Sequence, residues 1–143
     1  PAYHSITGDL KLAFSQFEEL ETFARFGSRL DENTRKIIEH GKRIRACLKQ
    51  KELNPMSVEA QILILLALKE GLFDEIPLEK MNAAQEELLK TAKDLPGELV
   101  KRLNSSEELQ EKDRQILLDE ANKVLSPMKP SKTENQDKEH ANT

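Results

Sequence analysis

Three histidines, one cysteine and several carboxylate pairs are the side chains whose types could support chemistry in this sequence. His4, His40 and His140 are far apart along the chain, and metal ligands normally come in close spacings, so they read as solvated surface rather than as a metal site. Cys47 follows Arg43 by one helical turn, and a nearby cation lowers a thiol's pKa. Its position beside an apolar face favours a small core residue instead. The pairs Glu18/Glu19, Asp74/Glu75 and Glu107/Glu108 lack the apolar surroundings that separate two pKa values for acid–base work. They read as solvated faces and first-turn charges favourable to helix dipoles. The sequence carries no glycine-rich phosphate loop, no GxSxG and no HExxH. The expectation is no catalytic residue, no bound cofactor and no metal in this chain.

Positive charge is the strongest remaining signal. From Arg35 to Lys51 the chain carries seven Lys or Arg against the single Glu39. Phosphate binding favours such clustering, but no aromatic residues interleave for stacking and the rest of the chain is acidic. Nucleic acid is therefore not an expected partner. A solvated basic face, or one that docks an acidic protein, fits better. A free-standing helical adaptor using 35–51 is the corresponding alternative reading.

These side chains must be positioned by helices. Leu10, Ala13, Phe14, Phe17, Leu20 and Ala24 recur at helical spacing, predicting a helix from about Asp9 to Phe26 that Gly27 ends. Asp31 suits the N-cap of a second helix through Ile37, Ile38, Gly41, Ile44 and Leu48, broken near Pro55. Ser57 caps a third, from about Val58 to Glu70, apolar nearly all round and so expected at the centre of a bundle. Gly71 ends it. Pro77 opens a fourth carrying Leu78, Met81, Ala84, Leu88 and Leu89. After Pro96-Gly97 a short piece runs from Glu98 to Leu103. Ser105 and Glu108 form a capping box for a last helix with Leu109, Ile116, Leu117, Ala121, Val124 and Leu125. The fold class is thus all-α: a compact bundle of about five helices over 1–125, followed by a polar tail, 126–143, expected to be disordered.

Composition narrows the classes further. The chain has 143 residues and a net charge of −4, with 34% charged and only 4% aromatic residues. Its longest apolar run, Ile62 to Leu68, is far short of the ~20 residues that span a bilayer, so no direct membrane insertion is expected. Cys47 has no partner for a disulfide, and no signal-peptide pattern opens the chain, which favours a reducing cytoplasmic compartment. A start at Pro1 rather than Met fits a piece of something longer.

Gln16-Phe17-Glu18-Glu19-Leu20, Phe23-Ala24-Arg25-Phe26-Gly27-Ser28-Arg29-Leu30-Asp31 and Thr34 together resemble the C-terminal domain of the alpha subunit of F-type ATP synthases, whose pattern is approximately QFxELxxFxxFGSxLDxxT. The likeness continues through Gly41-Lys42-Arg43, Leu48-Lys49-Gln50, Pro55, Ser57-Val58-Glu59, Gln61 and Gly71 to Pro77. It spans about Ile6 to Met81, and beyond that only the helix pattern agrees. The family's IYA segment is replaced by Leu65-Leu66-Ala67-Leu68. Arg25-Phe26-Gly27 with Glu39 to Arg45 looks closer to a divergent bacterial branch, sometimes linked to sodium.

The resemblance implies a non-catalytic bundle within a ring of alternating alpha and beta subunits around the gamma stalk. ATP or ADP and Mg would be held by an upstream domain of the parent subunit. The partners it implies are beta and gamma, in a peripheral head on the cytoplasmic side of the membrane. The turn Gly27, Ser28, Arg29, Leu30, Asp31 and Glu32 takes the place where beta carries its acidic DELSEED loop, so it is expected to face gamma.

Overall fold

The computed structural model describes residues 2–25, 31–53, 56–105 and 108–130. Six α-helices appear among them: α1 (Ala2–Ala24), α2 (Glu32–Leu53), α3 (Val58–Lys69), α4 (Met81–Lys93), α5 (Gly97–Leu103) and α6 (Glu111–Leu125). The described residues contain no strand, as the all-α reading expects.

The all-round apolar helix is the centre of the molecule. Eight of the twelve residues of α3 are buried, Ala60 and the whole run Ile62–Leu68. It packs against each of the other five helices. Burying one such Leu or Ile side chain is worth about 1.5–3 kcal/mol, and this helix supplies more buried apolar residues than any other described helix. Its ends are defined as the sequence suggests. Ser57 Oγ accepts from Ala60 N at 3.3 Å. Beyond the C-terminus, Gly71 adopts φ 77°, while Leu72 N donates to Ala67 O and Gly71 N to Leu68 O, at 3.0 and 3.1 Å. That pair of bonds satisfies carbonyls left free at a helix end, and the left-handed backbone between them suits Gly.

Four boundaries differ from the sequence reading. Helix α1 starts seven residues before Asp9, because Ile6 is buried against the core and a mid-helix Gly8 costs only about 1 kcal/mol. Pro77 opens a 3-10 turn, Leu78–Lys80, before α4, so Leu78 leaves the apolar face and is 42% exposed. Ser105 does not cap the last helix. Ser105 Oγ donates to Arg102 O at the end of α5, and α6 begins only after Gln110. The expected tail is ordered at its start: Ser126–Met128 form a 3-10 turn and Met128 packs on the core. Pro127 in its first positions and the apolar Met128 explain why the ordered chain continues past Leu125. Of the tail, residues 131–143 lie outside the described residues.

Candidate functional site

Of the turn singled out by sequence, Gly27, Ser28, Arg29 and Leu30 lie outside the described residues. Asp31 and Glu32 are described, and both are exposed. Asp31 caps α2 as expected: its Oδ1 accepts from Thr34 N at 2.7 Å, and Arg35 N bonds its carbonyl at 3.1 Å. The Thr34 amide holds the Asp31 carboxyl below its ordinary range. Glu32 opens the first turn, where a negative charge favours the helix dipole.

Helix α2, whose start carries Asp31 and Glu32, packs against α1, and three side-chain contacts join the two helices. Phe17 on α1 is fully buried and lies against the backbone of Gly41 on α2; a Cβ at Gly41 would overlap Phe17 Cβ, Cγ and Cδ2. Arg45 sits 4.7 Å over the Phe17 ring. It also donates to Glu21 at 2.6 Å, and this bond holds the Glu21 carboxyl below its ordinary range. Glu21 in turn faces Arg25, at 3.8 Å, at the end of α1.

A second brace ties α2 to the connector between α3 and α4. Arg43 is buried, donating to Ile76 O at 2.8 Å and to both the carboxylate and the carbonyl of Glu39. Burial pushes the Glu39 carboxyl up, but hydrogen bonds from Arg43 and Lys42 outweigh it and leave the pKa lowered. His40 Nδ1 meets Asp74 Oδ1 at 2.7 Å. The segment 35–51 is therefore not one solvated basic face. Arg43 is interior, while Arg45 and Lys42 are engaged within the domain. This removes much of the surface that the adaptor reading needs.

The other chemistry-bearing groups behave as structure. Cys47 is buried, and burial pushes its thiol up to about 12. Arg43, one turn earlier, points its charge to Glu39 and Ile76 instead. The native chain should show essentially no maleimide labelling at pH 8, against complete labelling in guanidinium. Labelling of the native chain at a free-thiol rate would contradict the buried placement. Among the described residues no group of three or more His, Cys, Asp or Glu could hold a metal ion. No described helix is long and apolar enough to cross a membrane.

Two structural supports have roles that the sequence pattern does not announce. One is Gly41, a glycine inside a helix, whose signal was its unexplained cost relative to Ala. The other is Asp113, only 3% exposed, which takes a bidentate fork from Arg102 at 2.8 and 2.9 Å. An acidic residue in the first turn of a helix gives no local hint of such a partner eleven residues back.

Comparison with known proteins agrees with this arrangement over nearly all of the bundle. Residues 1–124 match the family model described as "ATP synthase alpha/beta chain, C terminal domain". The chain is 54% identical over 135 residues to "ATP synthase subunit alpha 2" of Polaromonas naphthalenivorans, covering 94% of this chain and 26% of that protein. It is 55% identical over 124 residues to "ATP synthase subunit alpha 1" of Chlorobium luteolum, covering 87% and 24%. The relative in Albidiferax ferrireducens, again "ATP synthase subunit alpha 2", is 53% identical over 130 residues, covering 91% and 24%. The chain thus spans about a quarter of the length of the curated relatives it matches. Their names state no transported ion, so the sodium link has no support from them. With the described residues forming a helical bundle around α3, and a family match from residue 1 to 124, the chain belongs to the C-terminal domain family of the ATP synthase alpha/beta chains.

Proposed function

We propose that residues 1–125 form the non-catalytic C-terminal bundle of an ATP synthase alpha subunit. It sits in a ring of alternating alpha and beta subunits around gamma, in rotary ATP synthesis or hydrolysis coupled to ion transport. The observation that carries this reading is the match over 1–124, together with relatives more than 50% identical that are named alpha subunits. ATP or ADP and Mg belong to an upstream domain of the parent subunit. The complex is a peripheral head on the cytoplasmic side of the membrane, and its activity is that of an ion-translocating ATPase.

In this reading the turn Gly27–Glu32 faces gamma. The contacts that join α1 and α2, the helices on either side of it in the sequence, support that role. Cross-ties by Phe17, Gly41, Arg45 and Glu21 resist separation of the two helices under load. Asp31 and Glu32, both exposed, make weak, reversible contacts, each worth about 0–1 kcal/mol, as a surface passing a rotating shaft requires.

Reversing charge at both Arg29→Glu and Glu32→Lys in the assembled complex is expected to lower torque and the coupling of hydrolysis to rotation. Unchanged torque and coupling would overturn the assignment of the turn. The isolated chain should hydrolyse no ATP above background; real turnover would overturn the non-catalytic reading.

A further inference from the structure

A groove whose lining is almost free of charge runs between the Thr7–Ser15 stretch of α1 and Leu48 of α2. Its volume is 280 Å³. Thr7, Leu10, Lys11, Phe14 and Ser15 line one side and Leu48 the other, and of these Lys11 alone is charged. In a chain with 34% charged residues that composition is unusual. Two of the large apolar side chains that the bundle leaves exposed belong to the same place. Leu48 is 37% exposed, and Leu12, three residues before Ser15 on α1, is 66% exposed. Single exposed apolar residues are ordinary, whereas several grouped around a groove mark a contact surface.

The groove is shaped before anything enters it. Leu10 is buried in the core and forms the floor. Half-buried Phe14 stands 5.6 Å from the Phe17 ring, centroid to centroid, and Phe17 is the residue that packs on Gly41 of α2. A wall held in this way loses little freedom on binding, which lowers the cost of covering it.

Connectivity of the polypeptide points to what covers it. The match takes in only 24–26% of each relative's length, and the matching family is described as a C-terminal domain. In the alpha-subunit reading, on which this inference rests, the rest of the polypeptide joins at the start of α1. Leu10 lies nine residues after Pro1, about 14 Å along a helix. A domain attached there is held beside the groove at roughly millimolar local concentration. A neighbouring subunit has no such tether. We propose that the upstream domain of the same polypeptide docks in this groove, setting apolar side chains against Leu10, Phe14 and Leu48, with Leu12 at the rim.

Maleimide labelling of Ser15→Cys, read by peptide mass spectrometry, tests the docking in the 143-residue chain, in the full-length subunit and in the assembled complex. Rates are taken relative to Glu86→Cys, an exposed position on α4. Ser15→Cys should label at least about tenfold more slowly in the full-length subunit than in the short chain, because a tethered contact is closed most of the time. Leu48→Glu, which puts a charge in the groove, should return Ser15→Cys in the full-length subunit to the fast rate, with circular dichroism showing the helices intact. Equal rates in the short chain and the full-length subunit would overturn the proposal. So would slow labelling that survives Leu48→Glu. Protection that arises only once beta is added would overturn it as well, assigning the groove to a neighbouring subunit. Failure of the alpha-subunit reading shows differently, as a full-length polypeptide that does not assemble with beta and gamma, whatever the labelling of Ser15→Cys.

Discussion

Gly41→Ala is expected to destabilise the domain by about 2 kcal/mol, although Ala is the better helix former. Replacing a mid-helix Gly with Ala ordinarily gains about 1 kcal/mol. Here the new methyl group meets the fully buried Phe17, overlapping its Cβ, Cγ and Cδ2. Rotating the Phe17 side chain moves the ring but not Cβ, so the helices themselves must separate. Overpacking of this kind costs typically 1–3 kcal/mol and sometimes more, which outweighs the propensity gain. For a domain of this size the loss corresponds to a fall in Tm of roughly 6–8 °C.

The measurement that checks it is thermal unfolding of Gly41→Ala, Phe17→Ala and the double variant. The single Phe17→Ala change should also destabilise, by removing the ring that Arg45 covers. The double variant should lose less than the sum, since Ala lacks two of the three overlapped atoms, Cγ and Cδ2. Strict additivity would show that Phe17 is not what Gly41 accommodates. On the proposal that the turn after α1 faces gamma, Gly41→Ala in the assembled complex should also weaken coupling, because Phe17 and Gly41 join α1 to α2.

Asp113→Asn is expected to cost about 2 kcal/mol at pH 7 and to flatten the acid limb of the stability profile. Asp113 is almost wholly buried in the first turn of α6, and Arg102 reaches it from the last turn of α5. The Arg102 hydrogen bonds hold the Asp113 carboxyl below its ordinary range. Hydrogen bonds to a charged partner contribute about 1.5–3 kcal/mol. Arg102 is more than one-third exposed and rehydrates when its partner is lost, which keeps the cost below the largest values for buried pairs.

The sign of the pH effect follows from the direction of the shift. A lowered folded pKa means the unfolded chain binds the proton first as pH falls. The contribution of Asp113 is then fully present above the unfolded carboxylate value, near 4, and is lost as pH falls through the folded value. Denaturant midpoints for the parent and Asp113→Asn chains should differ by a constant amount from pH 5 to 8 and converge below pH 4. A difference that stayed constant down to pH 2 would show that the charge on Asp113 is not what stabilises the α5–α6 junction.

The placement of the helices was legible wherever local physics decides it. Ile62–Leu68 announces a buried central helix because no polar face is left to solvent. Asp31, Ser57 and Gly71 mark ends because caps depend on one or two residues and their nearest amides. The boundaries that moved are those where a distant contact overrides the local signal. Ile6 extends α1 because the core is there to receive it. Ser105 turns back to α5, and α6 begins after Gln110, with Arg102 waiting for Asp113 across the junction. The family pattern around Gly27–Asp31 was legible as a motif, while the reasons for the glycine at 41 and for the arginines at 43 and 45 were not.

Sequence by itself determined that this protein is a helical bundle with α3 at its centre, because helical period and capping are properties of neighbours within about four residues. It also determined the family, through a signature string. Only the tertiary structure decided what the charges are for. Arg43 became an interior strut, Arg45 a lid over Phe17, and Asp113 a buried anchor. A charge's role depends on which groups lie within a few Å and how much water remains, and those neighbours come from residues 24 to 33 positions away for the two arginines and 11 for the aspartate. No local pattern encodes that distance.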